Sequence, residues 1–167
     1  MPRLRTTEVR EILERAHASF CETVAALGDD AAPVVVVIYP ELVVAMIVPG
    51  GAEEILATLD ALADPSSPIA AREVVGLIAH ATAWGIDAET WAVPYADEAD
   101  ARALGELHSL AVSWWCHVGR DGFPILEGLA TLYDPATLEL GATASATEGS
   151  GILGLALARA TVICHQA

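Results

Sequence analysis

The stretch VVVVIYPELVVAMIV, residues 34–48, decides the fold. Its first part, residues 34–39, is a continuous run of β-branched and aromatic side chains, which is typical of a strand buried on both faces. Residues 39–42 fit a type I turn with Pro40 at the second position, so residues 42–48 are predicted to return as the partner strand. The alternative is that Pro40 is the first residue of a short helix.

Helices are predicted on both sides of this hairpin. Apolar residues recur at helical spacing from Val9 to Leu27, which predicts an amphipathic helix that is capped by Thr6 or Thr7 and ended by Gly28. After the hairpin, one helix is expected to begin at residues 53–54, where two glutamates suit a helix N-terminus. Another is expected to begin at residues 67–68 and to run to Trp84, with Ser67 as the cap and Pro68 in the first turn.

The second half of the chain combines strand and helix patterns. Residues 89–95 alternate as in a strand, and Asp97 is suited to cap a helix that carries Leu104 and Leu107. The stretch LAVSWWCHV, residues 110–118, fits either a strand with two apolar faces or a helix. Residues 133–138 predict a turn between two strands, residues 141–151 a loop or fraying strand, and residues 152–164 a closing helix.

These elements predict a single α+β domain over residues 1–167, in which helices pack on an antiparallel or mixed sheet. Residues 1–5 are interpreted as a flexible N-terminal arm. No apolar run reaches the roughly 20 residues that a membrane-spanning helix requires. The N-terminus carries arginines in place of the apolar core of a signal peptide.

The composition restricts the partners. The chain has 23 acidic residues against eight arginines and a net charge of -15, so it is expected to bind neither nucleic acid nor anionic membranes. The absence of lysine and asparagine indicates a high-GC bacterial genome, because the codons of both residues are AT-rich. Cys21, Cys116 and Cys164 are odd in number and widely spaced, which favours reduced thiols in the cytoplasm over disulfides.

The motifs that suggest cofactors do not meet their structural requirements. Residues 149–154 match G-x-G-x-x-G, but no acidic residue and no room for a further strand follow them, so a dinucleotide site is rejected. Glu14 and His17 form an E-x-x-H pair without the second copy that a di-iron bundle needs. His17 and Cys21 are one helical turn apart, but two ligands are too few for zinc. We therefore expect no metal and no cofactor.

Two hypotheses about function follow. The adjacent rings of Trp114 and Trp115 must diverge in any secondary structure, so one is expected to line a ligand pocket or an interface, unless both are buried in a two-sided core. The leading hypothesis is a non-catalytic cytoplasmic module that uses these rings to bind a protein partner, a second copy of itself in a homodimer, or a small apolar ligand. The alternative is a small enzyme in which a histidine activates Cys116, the candidates being His117, His108 and His80.

Overall fold

The computed structural model describes residues 6–64, 66, 74–86, 103, 105, 107–145 and 151–166. Within these ranges the chain forms a six-stranded antiparallel sheet, in the order β2-β1-β3-β4-β5-β6, packed against three helices. This confirms the predicted α+β class. The elements in chain order are α1 Thr6–Leu27, β1 Val34–Ile38, β2 Val43–Ile47, α2 Ala52–Leu62, β3 Gly76–Ile86, β4 Leu107–Val118, β5 Pro124–Tyr133, β6 Leu140–Ser145 and α3 Gly151–Gln166.

The first helix and the hairpin have the predicted form. α1 buries the apolar stripe that includes Leu13 and Val24. A single 3₁₀ turn follows it and begins at Gly28, whose φ of +59° is a conformation that glycine adopts readily. The N–H of Tyr39 donates to the carbonyl of Leu42 at 2.9 Å and closes the turn between β1 and β2. Pro40 therefore belongs to a hairpin turn, and the alternative of a helix at this point is wrong.

The predicted helix from residue 67 to Trp84 is wrong from Gly76 onward, because this part of the chain is the strand β3. Residues 67–73 lie outside the described ranges. β3 is paired on both sides, with β1 and β4, and it is covered on both faces by helices. A strand with two buried faces loses its polar alternation, and the apolar residues at 74, 77, 78 and 81 then imitate the spacing of a helix.

The ambiguous residues 110–118 belong to the long strand β4, so the strand interpretation is confirmed. Leu107 is the first residue of this strand, so the helix that was predicted to carry Leu107 does not extend to it. Asp97, Leu104 and the predicted strand at residues 89–95 lie outside the described ranges.

The turn predicted at residues 133–138 joins β5 to β6 as expected. The carbonyl of Asp134 accepts a hydrogen bond from the N–H of Leu138 at 2.8 Å, and its carboxylate accepts one from the N–H of Ala136 at 2.7 Å. Of the segment predicted as a loop or fraying strand, residues 141–145 belong to β6 and residues 146–150 lie outside the described ranges. The closing helix, α3, is confirmed.

The sheet separates two cores. α1 packs on one face, where Ile78 and Trp115 meet Leu13, while α2 and α3 pack on the other face around Trp114 and Cys116. Odd-numbered residues of β4 therefore face α1, and even-numbered residues face α2 and α3. Among the described residues, no helix is both long and apolar enough to cross a membrane.

Candidate functional site

A continuous chain of hydrogen-bonding side chains crosses the interface between α1 and the sheet. Ser113 Oγ lies 2.6 Å from His80 Nδ1 and 2.7 Å from His17 Nδ1. On the other side of the His17 ring, Nε2 lies 2.7 Å from Thr131 Oγ1, which is 2.6 Å from Thr143 Oγ1. We call these five residues the polar chain. It joins β3, β4, α1, β5 and β6, and all of its members except Thr143 are buried.

The positions of these side chains follow from the local pattern of each element. His17 lies on the buried stripe of α1, four residues after Leu13 and three before Phe20, so its ring is directed at the sheet. Ser113 occupies an odd position of β4 and therefore faces α1, directly opposite His80 of β3 in the sheet register. The ring of Phe20 stacks on the ring of His80, with centroids 5.2 Å apart, and holds its orientation.

Neutral imidazoles can satisfy the polar chain completely. A neutral histidine has one donor and one acceptor nitrogen, and a hydroxyl both donates and accepts. The hydrogen bonds can therefore run in one direction from His80 to Thr143, or in the opposite direction when both rings change tautomer. The site thus has two arrangements that differ only in proton positions.

The electrostatic environment keeps both rings neutral. Burial lowers the pKa of His80 from 6.5 to about 4, and the facing His17 lowers it further as a second cause. Burial also lowers the pKa of His17. Burial therefore favours the neutral form of both imidazoles at pH 7, and the pattern of donors and acceptors is compatible with two neutral rings.

The polar chain ends in a cleft between α1 and the two outer strands β5 and β6. The cleft has a volume of about 480 Å³. Leu129, Thr131 and Thr143 form its floor on the sheet side, and His17 and Cys21 contribute to its wall on α1. Because β6 is exposed along its length, the cleft is open to solvent at this edge of the sheet.

An arginine bridges the mouth of the cleft. Arg10 Nε donates to Glu14 Oε1 at 2.9 Å, and Arg10 Nη2 donates to Ser145 Oγ at 3.0 Å. Arg10 and Glu14 are the charged residues among the described lining of the cleft, and they pair with each other. The mouth of the cleft therefore carries a paired arginine and glutamate, and its floor carries uncharged side chains.

Cys21 lies beside the polar chain. Its Sγ is 3.4 Å from His17 Nε2, so the pair that the sequence placed one helical turn apart is in contact. Burial raises the pKa of the Cys21 thiol, although a hydrogen bond with Thr131 acts in the opposite direction. The thiol form is therefore favoured at neutral pH, and whether its sulfur donates to or accepts from His17 Nε2 depends on the tautomer of the ring.

None of the three histidines that were candidates for the base that activates Cys116 lies beside its thiol in the structure. Cys116 is buried on the α2 and α3 face, and burial raises its pKa to about 11, while a hydrogen bond with Thr161 acts in the opposite direction. His80 and His117 lie on the α1 face. His108 shares the face of Cys116 but is eight residues away along β4, a distance of roughly 27 Å in a strand.

His117 and His108, two of the candidate bases, lie in separate surroundings. His117 Nδ1 accepts a hydrogen bond from Trp115 Nε1 at 2.7 Å, and burial lowers its pKa, although the nearby Glu127 acts in the opposite direction. His108 is exposed and lines a second cleft of about 360 Å³ beside the turn that follows β5. Neither histidine reaches the polar chain.

Trp114 and Trp115 diverge to opposite faces of the sheet. Trp114 is 9% exposed among the side chains of α2 and α3, and Trp115 is 0% exposed beneath α1. The observed arrangement is the alternative in which both rings are buried in a two-sided core. A ligand or interface role for either ring stays a prediction that this structure does not test.

The sequence alone does not reveal the polar chain, although it places His17 and Cys21 one helical turn apart. The available signal was a histidine at a core position of an amphipathic helix, which requires buried partners.

Within the described ranges, no group of three or more histidine, cysteine or acidic side chains is placed to hold a metal ion. The three cysteines are buried and unpaired.

Comparisons with known proteins add no assignment, because no family model, no curated protein and no solved structure matches the chain. The cleft and the polar chain are therefore interpreted from their own geometry and chemistry. The site combines two buried imidazoles of lowered pKa with a connection through His17 to an open cleft.

Proposed function

We propose that the chain is a non-catalytic binding module for a small, uncharged and largely apolar molecule, which it holds in the cleft between α1 and strands β5 and β6. The observation that carries this proposal is that the polar chain ends in the cleft, where His17, Thr131 and Thr143 converge. A volume of about 480 Å³ lies within the usual size of small-molecule sites, roughly 300–1,000 Å³.

The chemistry of the lining supports an uncharged ligand. Both directions of the polar chain are available, so Thr143 presents either a donor or an acceptor to a hydroxyl, carbonyl or amide group of the ligand. A charged ligand would have to displace the partner of Arg10 or Glu14. The net charge of -15 further disfavours anions near the cleft.

A fragment screen followed by NMR tests this proposal. The probes are matched sets of small aromatic and aliphatic molecules that carry an alcohol, a primary amide, a carboxylate or an amine. We expect the alcohols and amides to bind, with chemical-shift changes at Thr131 and Thr143. Binding of only the charged members, or of none, would contradict the proposal.

A pair of variants locates the binding. Thr143→Val removes the hydroxyl that ends the polar chain at an exposed position, and it should weaken binding about 2- to 10-fold, the value of one hydrogen bond. Thr23→Val makes the same change on the exposed side of α1 and should leave the affinity unchanged. Equal affinities of both variants and the wild type would place the ligand elsewhere.

A second candidate function is a small enzyme that uses Cys21 and His17. The favouring observation is that a thiol, an imidazole and the orienting Ser113 form a nucleophile–base–third-group sequence beside the cleft. This moves the Cys/His hypothesis from Cys116 to Cys21. The raised pKa of Cys21 argues against it, because the thiolate is the reactive form.

Alkylation by iodoacetamide at pH 7 separates the two candidates. Mass spectrometry reports the rate at each cysteine, and Cys116 and Cys164 serve as buried internal controls. Fast modification of Cys21 that is lost in His17→Gln would favour the enzyme. Slow modification of all three cysteines in the folded protein, with fast modification in urea, is the result expected of the binding module.

We also propose that the protein works in the cytoplasm and associates with itself. The support for the cytoplasm is that all three thiols are unpaired and buried, as in reducing compartments. The support for self-association is the exposed apolar side chains at one edge of the sheet, which include Val43 and Ile47. The size of the cleft, about 480 Å³, favours a small molecule over a protein as the ligand that contacts the end of the polar chain.

A further inference from the structure

Strand β2 forms one edge of the sheet and carries exposed apolar side chains. Among the described residues it pairs only with β1. Val43 is 62% exposed and Ile47 is 73% exposed, and Ala45 between them is exposed as well. These three side chains lie on the α1 face of the sheet, because their partners in β1 point to that face. The helix α1 does not cover them, since it packs on strands β3, β4 and β5.

The backbone groups of the same residues point away from β1. The carbonyl of Leu42 accepts from Tyr39, and the N–H of Val48 donates to Pro33 at 2.8 Å, so even-numbered positions of this segment bond to the β1 side. In an antiparallel pair this pattern alternates from residue to residue. The N–H and C=O groups of Val43, Ala45 and Ile47 are therefore directed outward along the edge.

We infer that two copies of the chain associate by antiparallel pairing of their β2 strands, centred on Ala45. In this register Ala45 is opposite Ala45 of the second copy, and Val43 is opposite Ile47 of the second copy. All three outward-directed residues then form hydrogen-bonded pairs, in which each residue both donates and accepts. The two sheets become one continuous sheet with a two-fold axis, and the exposed Val43 and Ile47 side chains form cross-strand apolar contacts.

The occupant is a second copy because the edge is self-complementary about Ala45, and the charges beside it do not oppose this pairing. The protein carries a net charge of -15, but residues 42–48 contain no charged side chain. Pairing of the two β2 strands therefore brings no like charges of these segments together. Glu41 faces Pro49 of the second copy, and the two Glu41 residues are about 27 Å apart, well beyond the roughly 8 Å screening length at physiological salt. The strand also lacks the lysine, proline or inward charge with which natural edge strands prevent pairing.

The surface is independent of the cleft, which lies at the opposite end of the strand order beside β6. The edge at β6 is the competing site for association, and it presents the shorter and more polar side chains of Thr143 and Ser145. A β2 pairing leaves this edge and the mouth of the cleft free in both copies. Failure of the ligand proposal would therefore not affect the inference about β2.

A designed cross-link tests the register. Ala45→Cys places two thiols across the two-fold axis, where Cα atoms of a hydrogen-bonded pair are about 5.5 Å apart and within disulfide range. The native cysteines are buried and do not compete. Val44→Cys is the matched control, because its side chain is on the other face and is opposite Met46 of the second copy. Under mild oxidation we expect Ala45→Cys to form a covalent dimer at least ten times faster than Val44→Cys.

Sedimentation of the uncross-linked protein completes the test. We expect a wild-type dimer at about 100 μM that becomes tighter as salt screens the acidic surfaces. Ala45→Pro should weaken it at least tenfold while keeping the fold, because the N–H that it removes points outward. A monomeric wild type would overturn the inference. So would a dimer in which the introduced thiol at position 45 fails to cross-link, whether or not Ala45→Pro folds.

Discussion

The buried histidines predict that the fold loses stability in mildly acidic solution and that His80 causes a large part of the loss. Burial, and secondarily the facing His17, lowers the pKa of His80 from 6.5 to about 4. Between these values the unfolded chain binds a proton at residue 80 that the folded chain does not bind. The free energy of unfolding therefore falls as the pH falls from 6.5 toward 4, and the contribution of His80 is fully present above 6.5.

The size of the effect follows from the two pKa values. At about 1.4 kcal/mol for each pH unit, a pKa lowered from 6.5 to about 4 is worth about 3 kcal/mol in total. Of this amount, about 2 kcal/mol is lost between pH 7.5 and pH 5.0. The pKa of His17 is lowered as well and changes the stability in the same direction.

The measurement is urea unfolding followed by circular dichroism at pH 7.5 and pH 5.0. His80→Asn keeps a polar atom near the position of Nδ1 to bond Ser113 but cannot titrate, so it should lose about 2 kcal/mol less than the wild type between the two pH values. His165→Asn, at an exposed position of α3, should retain the wild-type loss. The reasoning is refuted if His80→Asn and the wild type lose the same free energy of unfolding.

Three further predictions concern the core, the polar chain and the charge. Gly76→Ala should cost about 1–3 kcal/mol in urea unfolding, because the added Cβ would lie 2.8 Å from the carbonyl oxygen of Cys116 and 2.9 Å from the Trp115 ring; an unchanged midpoint would contradict this packing. Ser113→Ala should cost about 2–4 kcal/mol, since two buried imidazole nitrogens lose their partner, whereas the control Ser109→Ala, another buried serine on the same strand, should cost less. The acidic chain should not shift DNA in a low-salt gel assay, and micromolar binding there would disprove the expectation from its charge.

Local patterns predicted those parts of the fold in which one face of an element is polar or a turn is marked by glycine or proline. α1 has an apolar stripe and a glycine at its end, and the hairpin has Pro40 in its turn. The error at β3 has a physical cause, because burial on both faces removes the alternation that identifies a strand. β4 remained ambiguous for the same reason, and only pairing with its neighbours on both sides resolves it.

The candidate site could not be predicted from local sequence patterns, because its residues are far apart in the chain. Ser113 is 96 residues from His17 and 33 residues from His80, and Thr131 is 114 residues from His17. The sequence shows only that His17 is polar within an apolar stripe. Which side chains satisfy it depends on the register of β3 against β4 and on the position of α1 above them.

A contact away from the polar chain favours that register. The Trp115 ring lies so close to Gly76 that a Cβ there would be 2.9 Å from the ring carbons, so only glycine fits beneath it. A shift of β4 by one residue would direct Ser113 to the opposite face, and a shift by two residues would bring a side chain under the ring. The close packing of Trp115 on Gly76 is thus compatible only with the register that places Ser113 opposite His80, where Ser113 contacts both histidines. Trp115, one of the two adjacent tryptophans that stand out in the sequence, therefore favours from within the core the register on which the polar chain depends.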